Sequence, residues 1–405
     1  MPTTLPARAE RVFLLTLAGV QFTHMLDFMI VMPLGPILMR DFAIGTHEFG
    51  LLVASYTFCA AISGILAATF VDLFERKRLL LFCLALFGLA TLGCALAPNY
   101  PTLMVARGLA GVFGGVMGGL VQTFIGDAVP YARRARATGI VATAFSVATV
   151  AGVPLSLWLA NRYGWRAPFV FIAVWSLLLI LVGARILPEL RHHLGEEKRS
   201  HLFSATFAVL GEANHRRALL FTSLLTLSGF TVIPFITIYA VGNVGIAQRD
   251  IPLVYLVGGA MTLLTSRVIG RLADAHGKVE IYRAIAFAAI VPMLLVTHVG
   301  ALPLGLWLVC TTTFFVLVPG RMIPAMAIVT SAARPKLRGT FMSLNGTVQS
   351  LAMGLATTLA GALITQNAAG KIEGYPAAAY LAVGANLIAI WFVSRIVLHD
   401  KLPDQ

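Results

Sequence analysis

Charge is scarce in this chain. Only 12% of its 405 residues are Asp, Glu, Lys or Arg, about half of the roughly 25% found in soluble domains. Hydrophobic residues make up 58%, and the mean hydropathy is +0.86. That excludes an ordinary water-soluble fold and leaves an integral membrane protein. Cysteine is scarce too: Cys59, Cys83, Cys94 and Cys310 all lie in apolar runs without metal-ligand spacing, so neither a disulfide nor a metal site is expected. A GxxxxGK[ST] loop is missing, which excludes a nucleotide-driven pump. HExxH, GxSxG and paired intramembrane acids are missing as well, so a membrane-embedded enzyme is only a distant alternative, and no cofactor is implied. A channel lacks the ring-forming charge repeat it would need. Residues 1–11 are too short and polar for a signal peptide, so the first apolar run is expected to stay as a membrane helix.

What is abundant is long apolar sequence. Twelve runs reach the ~20 residues that a spanning helix needs, near 12–39, 47–72, 79–97, 101–127, 136–160, 167–187, 218–242, 251–273, 280–300, 303–331, 339–365 and 376–397. Short connections rich in Pro, Gly and charge join them, apart from one long polar linker, 188–217. The fold class is therefore an all-α membrane protein of twelve transmembrane helices: an N-terminal six-helix bundle (1–187), the linker (188–217) and a C-terminal six-helix bundle (218–405).

A net charge of +13 would suit nucleic acid, but the placement of the charges excludes it. With the N-terminus cytoplasmic, 23 of the 30 Lys and Arg residues fall on that side, five on the other, and two, Arg107 and Arg321, inside spans. This asymmetry is the positive-inside pattern, with both termini and the linker in the cytoplasm. A duplication is also legible: aligning Asp72 with Asp274, and separately Arg136 with Arg338 and Gly152 with Gly354, gives the same offset of 202 residues. Two six-helix pseudo-repeats imply a substrate site near the midplane and access that alternates by rocking.

Three charges defy the lipid. Asp27 lies near the bilayer centre, Arg107 toward the outside and Arg321 toward the cytoplasm. A central charge costs at least ~2.5 kcal/mol, so each must face protein or water. His24 stands three residues before Asp27 on the same helix face, within reach for passing a proton. Two plainer readings stay open: His24 as a polar packing residue, and Asp27 in a permanent ion pair with Arg107. Pro319 and Pro324 flank Arg321 and free backbone carbonyls that its guanidinium can satisfy, as it can an anionic substrate group. Around a central cavity, Phe28, Phe230, Phe235, Tyr239, Asn345 and Gln349 are the candidate substrate contacts, with Pro234 permitting a bend nearby. Many of these aromatics would serve equally in packing. The glycines of 107–119 read as helix-packing positions.

Several motifs together resemble the twelve-helix drug:proton antiporter branch of the major facilitator superfamily, over essentially the whole chain. That superfamily's G-x-x-x-D-R-x-G-R-R/K loop is similar to Ala68-x-x-x-Asp72-Leu73-Phe74-Glu75-Arg76-Lys77, with a second copy at Gly270-x-x-x-Asp274-Ala275-His276-Gly277-Lys278. Its helix 4 motif resembles RGLAGVFGGVMGG (107–119), and its helix 5 motif resembles AGVPLSLWLANRYGWRAPF (151–169), with Val153 between Gly152 and Pro154. The Gly-Val-Pro and Gly-Trp-Arg forms resemble the branch exporting sugars, purine nucleosides and related metabolites. The resemblance implies a cytoplasmic latch at Asp72, Arg76, Lys77, Asp127, Arg136 and Asp274, where ordinary interfacial charge is the plainer reading. It also implies a single-chain transporter in a bacterial inner membrane. Protons and a small molecule are the expected partners, with Asp27 and His24 carrying the proton. Efflux in exchange for protons is the leading expectation, and proton-coupled import is the alternative.

Overall fold

A computed structural model describes residues 7–190, 202–334, 337–367 and 370–399. Eleven helices are long and apolar enough to cross a membrane, and each falls on one of the expected runs. The twelfth run is also one helix, Arg338–Leu363, with Ser343, Asn345, Thr347 and Gln349 as polar residues in its first half. Among the described residues the only strands are a two-residue antiparallel pair, Thr365–Gln366 with Ile372–Glu373. The expected linker 188–217 is not all loop: a helix occupies Leu202–Gly211 and the next begins at Ala213, while residues 191–201 lie outside the described set.

Several runs expected as single helices are interrupted, and the interruptions coincide with proline. The first run breaks after Ile30: residues 31–34 form a turn around Pro33, and a short helix resumes at Gly35–Phe42. Proline cannot donate to the carbonyl four residues back, so the ladder is lost there. Ahead of Pro154 the helix Tyr131–Val147 widens into a π-turn, Ala148–Gly152, which re-routes the hydrogen bonds that the proline cannot make. The bend expected at Pro234 is a break, where Ala213–Phe230 ends and a 3₁₀ turn, Ile233–Phe235, follows.

The chain divides into two units, Met1–Val31 with Ser55–Leu202 and Met32–Ala54 with Phe203–Gln405. In the first, the glycine-rich helix Tyr100–Ala128 lies so close to its neighbour that a Cβ at Gly111 would stand 2.2 Å from the Tyr56 carbonyl oxygen, and one at Gly115 2.4 Å from that of Ala60. These glycines are packing positions, as the small-residue spacing implied. Gly119, by contrast, would meet nothing. In the second unit Gly50 and Gly361 touch backbone to backbone, and the Thr46 hydroxyl donates to the Ile364 carbonyl. Exposed apolar side chains such as Val174, Leu177 and Leu181 present the outer faces that hydrocarbon covers in an integral membrane protein. The four cysteines are free thiols.

Candidate functional site

Arg107 is placed by a well-made helix start. Asn99 accepts a hydrogen bond from the Thr102 amide at 3.0 Å, Pro101 occupies the first turn, and Arg107 follows two turns later. Its guanidinium reaches Asp27 on the helix Ala7–Ile30, with Nη1 2.6 Å from Oδ2 and 3.1 Å from the Asp27 carbonyl oxygen. Thr91, on the helix Arg76–Leu96, donates to the other carboxylate oxygen at 3.3 Å. The Tyr56 ring lies 4.7 Å from the guanidinium carbon, a cation–π contact. Asp27 is wholly buried and Arg107 is 1% exposed. The pair is thus out of contact with solvent, and the two charges neutralise each other. The ion pair that the sequence left open as the plainer alternative is formed.

The expected proton-sharing contact between His24 and Asp27 is not. Both Asp27 oxygens are taken by Arg107 and Thr91, and no hydrogen bond joins the two side chains. His24 Nε2 is buried without a partner, about 4.0 Å from where a Cβ on Gly118 would lie. The Tyr56 hydroxyl donates to the His24 backbone carbonyl at 3.4 Å, which ties the tyrosine to both halves of the cluster. Thr91 and Tyr56 were not legible as site residues, because a lone Thr or Tyr in an apolar span carries no pattern that separates it from packing.

At the far end of the helix Tyr100–Ala128, Asp127 meets Arg76 at 3.1 Å, and Arg76 also donates to the Val71 carbonyl at 2.9 Å. Glu75, between Asp72 and Arg76 of the loop motif, caps the helix Arg76–Leu96. It accepts from the Lys77 and Arg78 amides at 2.9 and 2.8 Å and from the Leu190 amide at 3.0 Å. An acid directly ahead of a helix start was the available signal. Of the remaining latch candidates, Lys77, Arg136 and Asp274 make no ion pair among the described residues, and the Asp72 side chain lies outside the described set. The repeat offset of 202 carries Arg76 onto Lys278, which donates to the Ser331 hydroxyl at 2.9 Å where Arg76 meets a carboxylate. Asp127→Asn is expected to speed amide exchange in the 71–78 turn by about fivefold, the effect of losing ~1 kcal/mol from a partly exposed pair. Unchanged exchange by mass spectrometry would show that the pair contributes nothing to that turn.

In the second unit, Arg321 is buried (1% exposed) at the junction of the helices Leu304–Gly320 and Met322–Ala332. Its partners are all neutral: the Asn386 amide oxygen, Ser228 Oγ at 3.1 Å and the Val318 carbonyl at 3.2 Å. Val318 is not a carbonyl that either flanking proline frees, since Pro319 and Pro324 leave those of Phe315 and Gly320 without their usual donors.

The expected substrate contacts fall into two sets. Phe235 is fully buried against Phe49, with ring centroids 5.9 Å apart. Tyr239 donates to the Val299 carbonyl at 2.9 Å, and Asn345 accepts from Thr222 at 2.7 Å. These three are engaged in packing or internal hydrogen bonds. Phe28, half-buried with its ring 5.5 Å from that of Tyr56, and the half-buried Phe230 and Gln349 keep accessible surface. Among the described residues no cluster of His, Cys, Asp and Glu has the makings of a metal site.

Comparison with known proteins agrees with this architecture. The family model of the Major Facilitator Superfamily matches residues 17–357. An uncharacterized MFS-type transporter of Bacillus subtilis, YceJ, is 24% identical over 378 residues, covering 90% of this chain and 92% of YceJ. The multidrug resistance protein Stp of Mycobacterium tuberculosis is 35% identical over 162 residues, covering 40% of this chain, which thus spans only 30% of Stp. A solved D-xylose-proton symporter shares the fold, with a TM-score of 0.73 at 15% identity, covering 97% of this chain and 98% of that one. Twelve helices, the internal duplication and a family match across most of the length lead to one conclusion: the chain belongs to the Major Facilitator Superfamily, and is a membrane transporter rather than an enzyme.

Proposed function

We propose that this transporter exports a small molecule in exchange for protons, by alternating access, as a single chain in a bacterial inner membrane with both termini in the cytoplasm. The observation that carries the proposal is Asp27, a buried carboxylate held by Arg107 at 2.6 Å in the interior of a spanning unit. A carboxylate so placed is costly and marks a proton or substrate pathway by default. Proton exchange needs a group that is charged in one access state and neutral in another. Asp27 can become neutral while Arg107 keeps the Asp27 carbonyl and the Tyr56 ring as partners. His24, buried with a free ring nitrogen beside this cluster, is the proposed second proton carrier. Arg76 and Asp127, with Asp72, Lys77, Arg136 and Asp274 around the same loops, form the proposed cytoplasmic latch.

For the substrate, the accessible Phe28, Phe230 and Gln349 are the proposed contacts, backed by Phe235, Tyr239 and Asn345. Export is favoured over import because Stp, the relative sharing 35% of its aligned residues, is named for drug resistance. The test is transport in proteoliposomes under an imposed pH gradient, with a substrate found by thermal-shift screening. An exporter moves the substrate against inward proton flow. Movement with the protons would make this an importer, and gradient-independent movement would remove proton coupling.

A further inference from the structure

The two units each bury a guanidinium, but only one supplies its counter-charge. Arg107 has Asp27 at 2.6 Å. Arg321, equally buried, has an amide, a hydroxyl and a carbonyl, and no carboxylate among the described residues. The repeat offset of 202 residues carries Asp27 onto Gly229. That glycine stands beside Arg321: a Cβ there would lie 3.8 Å from Nη2, with only Ile233 and Val318 side-chain carbons as near. At the position where the first unit provides a carboxylate, the second therefore provides a glycine, in contact with a cation and without a carboxylate of its own. The hydroxyl of Tyr282 is buried and unpartnered in the same unit. A buried cation without a counter-ion is costly, and a buried donor without an acceptor adds to the cost.

We propose that the second unit contains an anion site at Arg321 and Gly229, which takes a carboxylate or a similar monoanionic group of the transported molecule. Arg321 supplies the charge. Ser228 and Asn386 now hold its nitrogens at the positions an oxyanion would take over. The planar fork of a guanidinium suits the two oxygens of a carboxylate. This assignment rests on the transporter reading only for the word "transported"; the site itself is tested by binding.

The experiment is the melting temperature of the purified full chain with sodium benzoate or sodium butyrate, against benzamide or butyramide, at ionic strength matched with sodium chloride. The carboxylates are expected to raise the wild-type value by roughly 3 to 6 °C near saturation and the amides to leave it unchanged. Arg321→Met and Gly229→Asp should both lose that response, the first by removing the cation and the second by filling the place with an internal carboxylate. Without ligand, Gly229→Asp should melt above Gly229→Asn, and this order should vanish in the Arg321→Met background. A carboxylate response that survives in Arg321→Met, its absence in wild type, or equal melting of the Asp and Asn variants would each overturn the site. A response to chloride as large as that to benzoate would reduce it to an inorganic ion site. Failure of the transporter reading would appear instead in the proteoliposome assay, which leaves these melting temperatures untouched.

Discussion

Asp27→Asn should abolish transport driven by a pH gradient and leave a folded protein that still binds substrate. The amide has the shape of the protonated acid: its oxygen can still accept from Arg107, and its NH2 can donate to the Thr91 hydroxyl. What it cannot do is gain and lose a proton. Gradient-driven accumulation in proteoliposomes should therefore fall to the level of empty vesicles, while substrate exchange without a gradient continues. Proton release on substrate addition should vanish with it. The variant should also melt below wild type, because Arg107 loses its counter-charge and keeps only neutral partners, the amide oxygen, the backbone carbonyl and the Tyr56 ring. Accumulation at the wild-type rate would make the carboxylate structural and leave His24 as the coupling candidate.

The largest effect on stability is expected at the partner. Arg107→Met leaves a carboxylate wholly buried with one hydroxyl for company, and breaking a buried pair from one side costs about 3 to 5 kcal/mol. Adding Asp27→Asn to Arg107→Met should return most of that loss, since the stranded charge is gone and an apolar chain then faces an amide. The double-mutant cycle isolates the pair: the two substitutions lie in direct contact and should be strongly non-additive. A pH series supplies an independent check. In Arg107→Met protonation of Asp27 removes the stranded charge, so its deficit relative to wild type should shrink as pH falls. Additive single and double effects, or a deficit indifferent to pH, would show that the 2.6 Å contact holds little energy.

Much of this protein follows from local chemistry and was therefore legible in the chain. A span must be apolar because a bilayer offers no hydrogen bonds, so eleven of the twelve expected runs appear as long apolar helices and the twelfth as a helix with polar residues in its first half. The glycines of 107–119 had to pack because nothing larger permits such close approach, and Gly111 and Gly115 do. Pro234 had to interrupt its helix because it lacks an amide hydrogen. The breaks at 31–34 and 148–152 follow the same rule and were legible at Pro33 and Pro154. Other features depend on what meets across helices, and the sequence holds no distance between residues 80 apart. It placed Asp27 and Arg107 in the interior, but the tertiary structure joined them and, by giving both carboxylate oxygens to Arg107 and Thr91, kept His24 apart. It made Arg76 and Asp127 neighbours, while Arg136 and Asp274 form no ion pair among the described residues. It also left Arg321 among neutral partners: the sequence fixes where a charge enters the chain, and only packing decides whether an opposite charge reaches it.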